Sequence, residues 1–173
     1  MKIGIALAAA AIGLAWVSVA SAAPVTATAP ATATIVDPGQ MTNTRDLDFG
    51  TIAKPSTGTT TVTVASAATG TATPSVSGGN GFVPTPGLAH AATFRLVGST
   101  GQTYSVTDNS LSFTNATGNL GNVGAESPVA ASGTLNTLTT GTDDLYVGGH
   151  FDITSATAST NYSGTLSLTV NFN

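Results

Sequence analysis

The sequence predicts an all-β protein, with a β-sandwich as the natural architecture, and three observations carry that reading. Apolar and polar residues alternate with period two in many short runs, the pattern of strands with one buried face. Clusters of Gly, Pro, Asn and Asp interrupt those runs at frequent intervals, as turns between strands do. No amphipathic helical period follows the first residues of the chain.

The elements follow in chain order. Met1-Lys2 supplies a short positive start, 3–19 is a nearly unbroken apolar run, and Ala20-Ser21-Ala22 follows. That succession is the signature of a secretory signal, so residues 1–22 are expected to be removed after Ala22. A membrane anchor is the alternative, since the run is almost long enough to span a bilayer. The small-residue exit and the missing positive stop-transfer flank favour the signal, and no other stretch could span a membrane. Residues 23–36 come next. Here Val25, Ala27, Ala29, Ala31, Ala33 and Ile35 share one face of an extended chain. Thr26, Thr28, Thr32 and Thr34 take the other face, with Pro30 among them. A flexible linker has a similar composition, but β-branched Thr at alternate places favours a strand.

Asp37-Pro38-Gly39 signals a turn, and residues 37–173 read as one β domain. Strands are expected around Leu47 and Phe49, and over 59–65, 92–99, 102–108, 110–115, 133–140, 143–154 and 162–172. Ser99-Thr100-Gly101 predicts a hairpin between the 92–99 and 102–108 strands. Gly78-Gly79-Asn80-Gly81, Pro84-Thr85-Pro86-Gly87 and 115–124 read as loops, and Gly148-Gly149 predicts a β-bulge. The last run places Leu166, Leu168, Val170 and Phe172 on one face against Thr165, Ser167, Thr169 and Asn171. About seven to nine short strands with frequent turns suit a sandwich.

Composition narrows the function. About 150 residues remain after the signal, enough for one domain with a sizeable core. Only 7% of the chain is charged and its net charge is −4. Beyond Lys2 the cations are Arg45, Lys54 and Arg95 against 8 acidic residues, so no basic patch exists for nucleic acid. Thr, Ser, Asn and Gly supply the polarity instead. Such a surface repels its neighbours weakly and suits packing against copies of itself; it equally suits a simple secreted β-protein. The absence of cysteine excludes a disulfide framework, thiol catalysis and cysteine metal sites.

No catalytic set is visible. His90 and His150 lie in different segments without metal-ligand spacing. Asp46, Asp48, Asp143 and Asp144 read as turn or edge residues rather than acid–base groups or a calcium loop. Asp48-Phe49-Gly50 matches a kinase tripeptide but lacks every accompanying motif. Asn115-Ala116-Thr117 and Asn161-Tyr162-Ser163 match the glycosylation pattern, which such a composition produces by chance. Trp16 leaves with the signal, so no tryptophan remains for ligand stacking. No catalytic, cofactor-binding or metal residue is assigned, and the chain is not expected to be an enzyme.

The C-terminal NYSGTLSLTVNFN, the central LDFGTI and the VASAATG segment resemble secreted bacterial domains of the spore-coat-U-like group and the neighbouring domain of unknown function 4402. They also resemble major subunits of archaic, Csu-type chaperone–usher pili. In those subunits an alternating strand opens the mature protein, an L-x-F-G motif follows, and the chain ends in a T-V-x-F-like strand. The resemblance spans most of the mature chain. It implies an immunoglobulin-like Greek-key sandwich that lacks one strand and is completed by a donor strand from the next subunit. By this resemblance Val25, Ala27, Ala29, Ala31, Ala33 and Ile35 form the donor. Leu166, Leu168, Val170, Phe172 and Asn173 form the acceptor groove and bind the chaperone.

The partners implied are identical or related subunits joined head to tail, with a periplasmic chaperone and an outer-membrane usher during export. The route runs through the periplasm to the extracellular surface, with no stable membrane insertion after cleavage and no cofactor. The role implied is a pilus subunit in adhesion and biofilm. The alternative is a self-contained, monomeric secreted β-sandwich, a binding or coat module whose first strand inserts into its own domain.

Overall fold

The computed structural model describes residues 26–35, 38–67, 73–85, 89–113 and 120–173. The predicted signal, Val25, and residues 36 and 37 lie outside the described residues. The chain divides into two units, Met1–Thr34 and Ile35–Asn173. In the first, residues 26–34 are all exposed and belong to no strand.

The second unit holds ten strands among the described residues: β1 (Gln40–Arg45), β2 (Thr59–Val64), β3 (Ser75–Ser77), β4 (Ala92–Val97), β5 (Tyr104–Phe113), β6 (Gly121–Ala125), β7 (Val129–Ala130), β8 (Thr142–Val147), β9 (Gly149–Thr154) and β10 (Gly164–Phe172). One four-stranded sheet has the order β1-β4-β8-β7 and a second the order β3-β2-β9-β6, while β10 and β5 form a separate pair. All these pairings are antiparallel. The fold is all-β and consistent with a β-sandwich.

Period-two patterning explains the layers. In β2, Thr60, Val62 and Val64 are fully buried while Thr59, Thr61 and Thr63 face outward. β8 and β9 alternate in the same way, burying Leu145 and Val147 in one and Phe151 and Ile153 in the other. The main core cluster joins Phe94 and Leu96 of β4, Tyr104 of β5, Leu145 and Val147 of β8 and Leu168 of β10. A second cluster centres on Val62, Phe151 and Ile153, with Phe49 and Phe113 packed against it. The ring centroids of Phe49 and Phe113 lie 4.8 and 5.5 Å from that of Phe151, both edge-on, the arrangement aromatic quadrupoles prefer. Full burial of each large side chain contributes about 1.5–3 kcal/mol.

The structure corrects several sequence expectations. The 92–99 and 102–108 runs do not form a hairpin. Both edges of β4 are taken, by β1 and β8, and β5 pairs with β10. The turn instead carries the chain from one sheet to another, so that Phe94, Leu96 and Tyr104 enter the same core cluster. The expected 133–140 strand is a series of turns that anchors this crossover. Gly98 N donates to Gly141 O, Gly101 N to Leu138 O, and Leu138 N to Gln102 O. Left-handed backbone at Gly133, Asn136 and Gly141 keeps the segment from extending.

The expected bulge at Gly148-Gly149 is a break between two strands. β8 and β9 belong to different sheets, and a Cβ on Gly148 would collide with the Val64 carbonyl oxygen. The 102–108 and 110–115 runs merge into the ten-residue β5. β1, β3, β6 and β7 were not foreseen, because they are short or polar and carry few apolar alternations.

One core residue yields a test. The Tyr104 hydroxyl is buried beside the Asn136 backbone, in a geometry that falls short of a full hydrogen bond. Burial pushes its ionisation above the ordinary tyrosine range. Its contribution is therefore fully present below about pH 10 and is lost as pH rises through the higher folded-state value, because the unfolded chain gives up this proton first. Tyr104→Phe is expected to change stability at pH 7 by less than about 1 kcal/mol. In urea unfolding between pH 7 and 11, it should lose less stability at the alkaline end than the parent chain.

Candidate functional site

β10 is paired on one side only. It runs antiparallel to β5 from Gly164 opposite Phe113 to Phe172 opposite Tyr104, with one irregularity between Thr169 and Val170. Its other edge meets no strand among the described residues. Leu166, Leu168, Val170 and Phe172 alternate with the exposed Thr165, Ser167, Thr169 and Asn171. Leu168 is 9% exposed, while the other three are half-buried against the main core cluster beside Met41 and Leu47. β1 is likewise a sheet edge, bonded only to β4.

These two free edges come together at one end and part at the other. Gly39, just before β1, lies so close to Phe172 that a Cβ there would collide with the ring. Towards Gly164 the walls separate, and a cleft of about 1060 Å³ opens. Leu47, Phe49 and Ile52 line one wall, and Leu166 with the loop 157–163 lines the other. The floor is apolar, with Phe113 of β5 and Phe151 and Ile153 of β9. The Tyr162 ring stands edge-on to Phe113 at 6.5 Å. The second cluster therefore forms the bottom of the cleft, with Phe49 and Phe113 partly exposed and Phe151 and Ile153 buried.

Polar groups hold the rim in shape. Lys54 Nζ donates to the Thr157 carbonyl at 3.0 Å, tying the two walls. Asp48 Oδ1 accepts from Gly50 N at 2.7 Å, and Asp46 Oδ1 accepts from Asn43 Nδ2 at 2.6 Å. His90 Nδ1 lies 2.9 Å from the Asp46 carbonyl oxygen, and the backbones of Asp48 and His90 bridge each other. Asp46 and Asp48 thus act as loop caps, as turn carboxylates do.

The remaining charged groups lie away from the cleft. Asp144 receives two hydrogen bonds from Arg95, at 2.8 and 2.7 Å. That bonding holds the Asp144 carboxyl below its ordinary range and raises Arg95. Its neighbour Asp143 points inward and accepts from Ser132 N and Oγ. His150 Nδ1 lies 2.7 Å from Glu126 Oε1. Among the described residues, no three His, Asp or Glu side chains group as a metal-binding set.

The structure places the sequence-assigned residues unequally. Leu166 lines the cleft. Leu168, Val170 and Phe172 continue along the same strand face towards the closed end, inside the core cluster. Asn173 is exposed at that end, its backbone N–H bonded to the Thr103 carbonyl. Ala27, Ala29, Ala31, Ala33 and Ile35 are exposed and in no strand, and Val25 lies outside the described residues. Sequence reasoning missed the aromatic floor. Phe49 sits in the LDFGTI segment and Phe113 and Phe151 in expected strands, but only tertiary packing brings them to one cleft.

Residues 39–172 match the family model described as Domain of unknown function (DUF4402). The chain belongs to this family. No curated protein and no solved structure matches it. The DUF4402 domain begins at the glycine against Phe172 and ends at Phe172 itself, so both walls of the cleft lie within it. The alternating 25–35 segment precedes the DUF4402 domain.

The two leucines of β10 separate core from cleft wall. Leu168→Ala should destabilise the domain by about 2–5 kcal/mol, as a fully packed leucine does. Leu166→Ala, at a half-open position, should cost about 1 kcal/mol or less. Denaturant midpoints of the two variants check the difference, and equal losses would contradict this division.

Proposed function

We propose that the chain is a structural subunit of a secreted surface fibre rather than an enzyme, assembled by donor-strand complementation in the manner of archaic, Csu-type chaperone–usher pili. The observation that carries the reading is the cleft. Two sheet edges part over an aromatic floor, so the domain presents an unpaired strand edge and apolar core side chains at one place. An exported protein must cover such an edge, because it templates pairing with other chains.

The alternating segment 25–35 of a neighbouring copy suits that task. Each backbone hydrogen bond it makes contributes about 1 kcal/mol net, and each buried Val or Ile about 1.5–3 kcal/mol. Added along one strand, these terms hold subunits together in a chain that has no cysteine for covalent links. The donor lies outside the acceptor domain, so the joint is head to tail and the assembly open-ended. During export a periplasmic chaperone covers the same edge, and an outer-membrane usher exchanges it for the next subunit.

A second reading, a monomeric secreted β-sandwich serving as a binding or coat module, has one observation in its favour. Phe172 against Gly39 closes one end of the gap without any added strand.

Deleting residues 23–36 separates the two. The fibre reading expects the shortened chain to be exported, folded and monomeric in sedimentation, with no filaments in electron micrographs of the extracellular material. Filaments of normal length from the deletion variant would refute it.

A further inference from the structure

The donor segment is poor in bulk, and the cleft is not. On its apolar face, read from the alternation, Ala27, Ala29, Ala31 and Ala33 are alanines, and only Val25 and Ile35 are larger. The cleft of about 1060 Å³ is walled by Phe49, Ile52, Phe113, Phe151 and Tyr162. Alanine methyl groups reach too short a distance to cover those rings, and an unfilled apolar space forfeits dispersion contacts on one side. One end of the donor must therefore supply the filling residue, and strand direction decides which.

We propose that Ile35 of a neighbouring copy is the anchor that fills the aromatic end of the cleft, with the donor running antiparallel to β10. This rests on the fibre reading above. At the open end the first wall, 46–52, contains no strand, so β10 offers the strand edge there among the described residues. Every strand pair among the described residues is antiparallel, and antiparallel pairing is the slightly more stable arrangement per residue. An antiparallel donor places its C-terminal end beside Gly164 and Leu166, where the cleft lies, and its N-terminal end towards Phe172.

The lengths agree as well. β10 has nine residues, and the ten described residues of the donor, 26–35, are enough to run from the open end to the point where Phe172 meets Gly39. Ile35 is itself 95% exposed, the most exposed large hydrophobic residue among the described residues. The alanines then fall along the narrowing part of the gap, short of the end that Gly39 and Phe172 close. The alanine-rich face thus suits the narrow end, and the single isoleucine suits the wide one.

The cysteine-free chain makes the test clean. Fibres are assembled from mixtures of subunits carrying one cysteine each, Leu166→Cys with Ile35→Cys or Leu166→Cys with Val25→Cys, and treated with a short bifunctional thiol reagent. The proposal expects covalent dimers from the Ile35→Cys mixture and few or none from the Val25→Cys mixture. Fibres that link through Val25→Cys and not Ile35→Cys would overturn the anchor and its direction while leaving the fibre reading intact. Absence of fibres from the parent chain would overturn both.

Should Leu166→Cys fold poorly, single alanine variants give a second readout. Ile35→Ala should weaken subunit–subunit affinity at least about tenfold, read as dissociation of fibres on dilution or heating. Val25→Ala should change it by less. Equal or reversed effects would overturn the proposal.

Discussion

The structure depends on one unpaired edge. β10 is bonded to β5 along one side and to no strand among the described residues along the other. Beside that bare edge the wall of the domain parts from β1 over the partly exposed rings of Phe49 and Phe113, with Phe151 and Ile153 buried beneath them. Backbone N–H and C=O groups at an edge seek partners, and exposed apolar rings seek cover, so both demands fall at the same place. A single extended strand with one apolar face meets both at once. That coincidence, more than any individual side chain, is what the proposed donor strand has to answer.

The rest of the fold keeps the edge open. β4 is paired on both sides and fixes β1 at the margin of its sheet. The turns of 133–141 hold the crossover from β4 to β5, which places β5, and hence β10, on the main core cluster opposite β4 and β8. Gly148 lets the chain leave β8 and enter β9 in the other sheet, bringing Phe151 under the cleft. Lys54 ties the two rims through the Thr157 carbonyl. Within the domain the cleft is therefore a feature of the packing, set by strand order.

Much of this was legible in the sequence wherever one face of a strand is buried. Val62 and Val64, Phe94 and Leu96, and Leu166 to Phe172 declare their faces by alternation, and the structure keeps them. Strand partners were not legible. Ser99-Thr100-Gly101 has hairpin chemistry, yet the local turn cannot know that β1 and β8 already occupy both edges of β4. Polar edge strands such as β1 and β3 carry no periodic signal, because neither face is deeply buried. The cleft floor was invisible for a related reason. Phe49, Phe113 and Phe151 are far apart in sequence, and only the sheet arrangement makes them neighbours.

The claim at the centre is that the free edge of β10 is completed by a neighbouring chain. Backbone hydrogen exchange on β10 tests it most directly, comparing the chain lacking residues 23–36 with the assembled full-length protein. The account predicts that alternate β10 amides, those on the edge away from β5, exchange rapidly in the shortened chain and become strongly protected on assembly. Equal protection in both states would show that the edge is already covered within one chain, and would contradict the account.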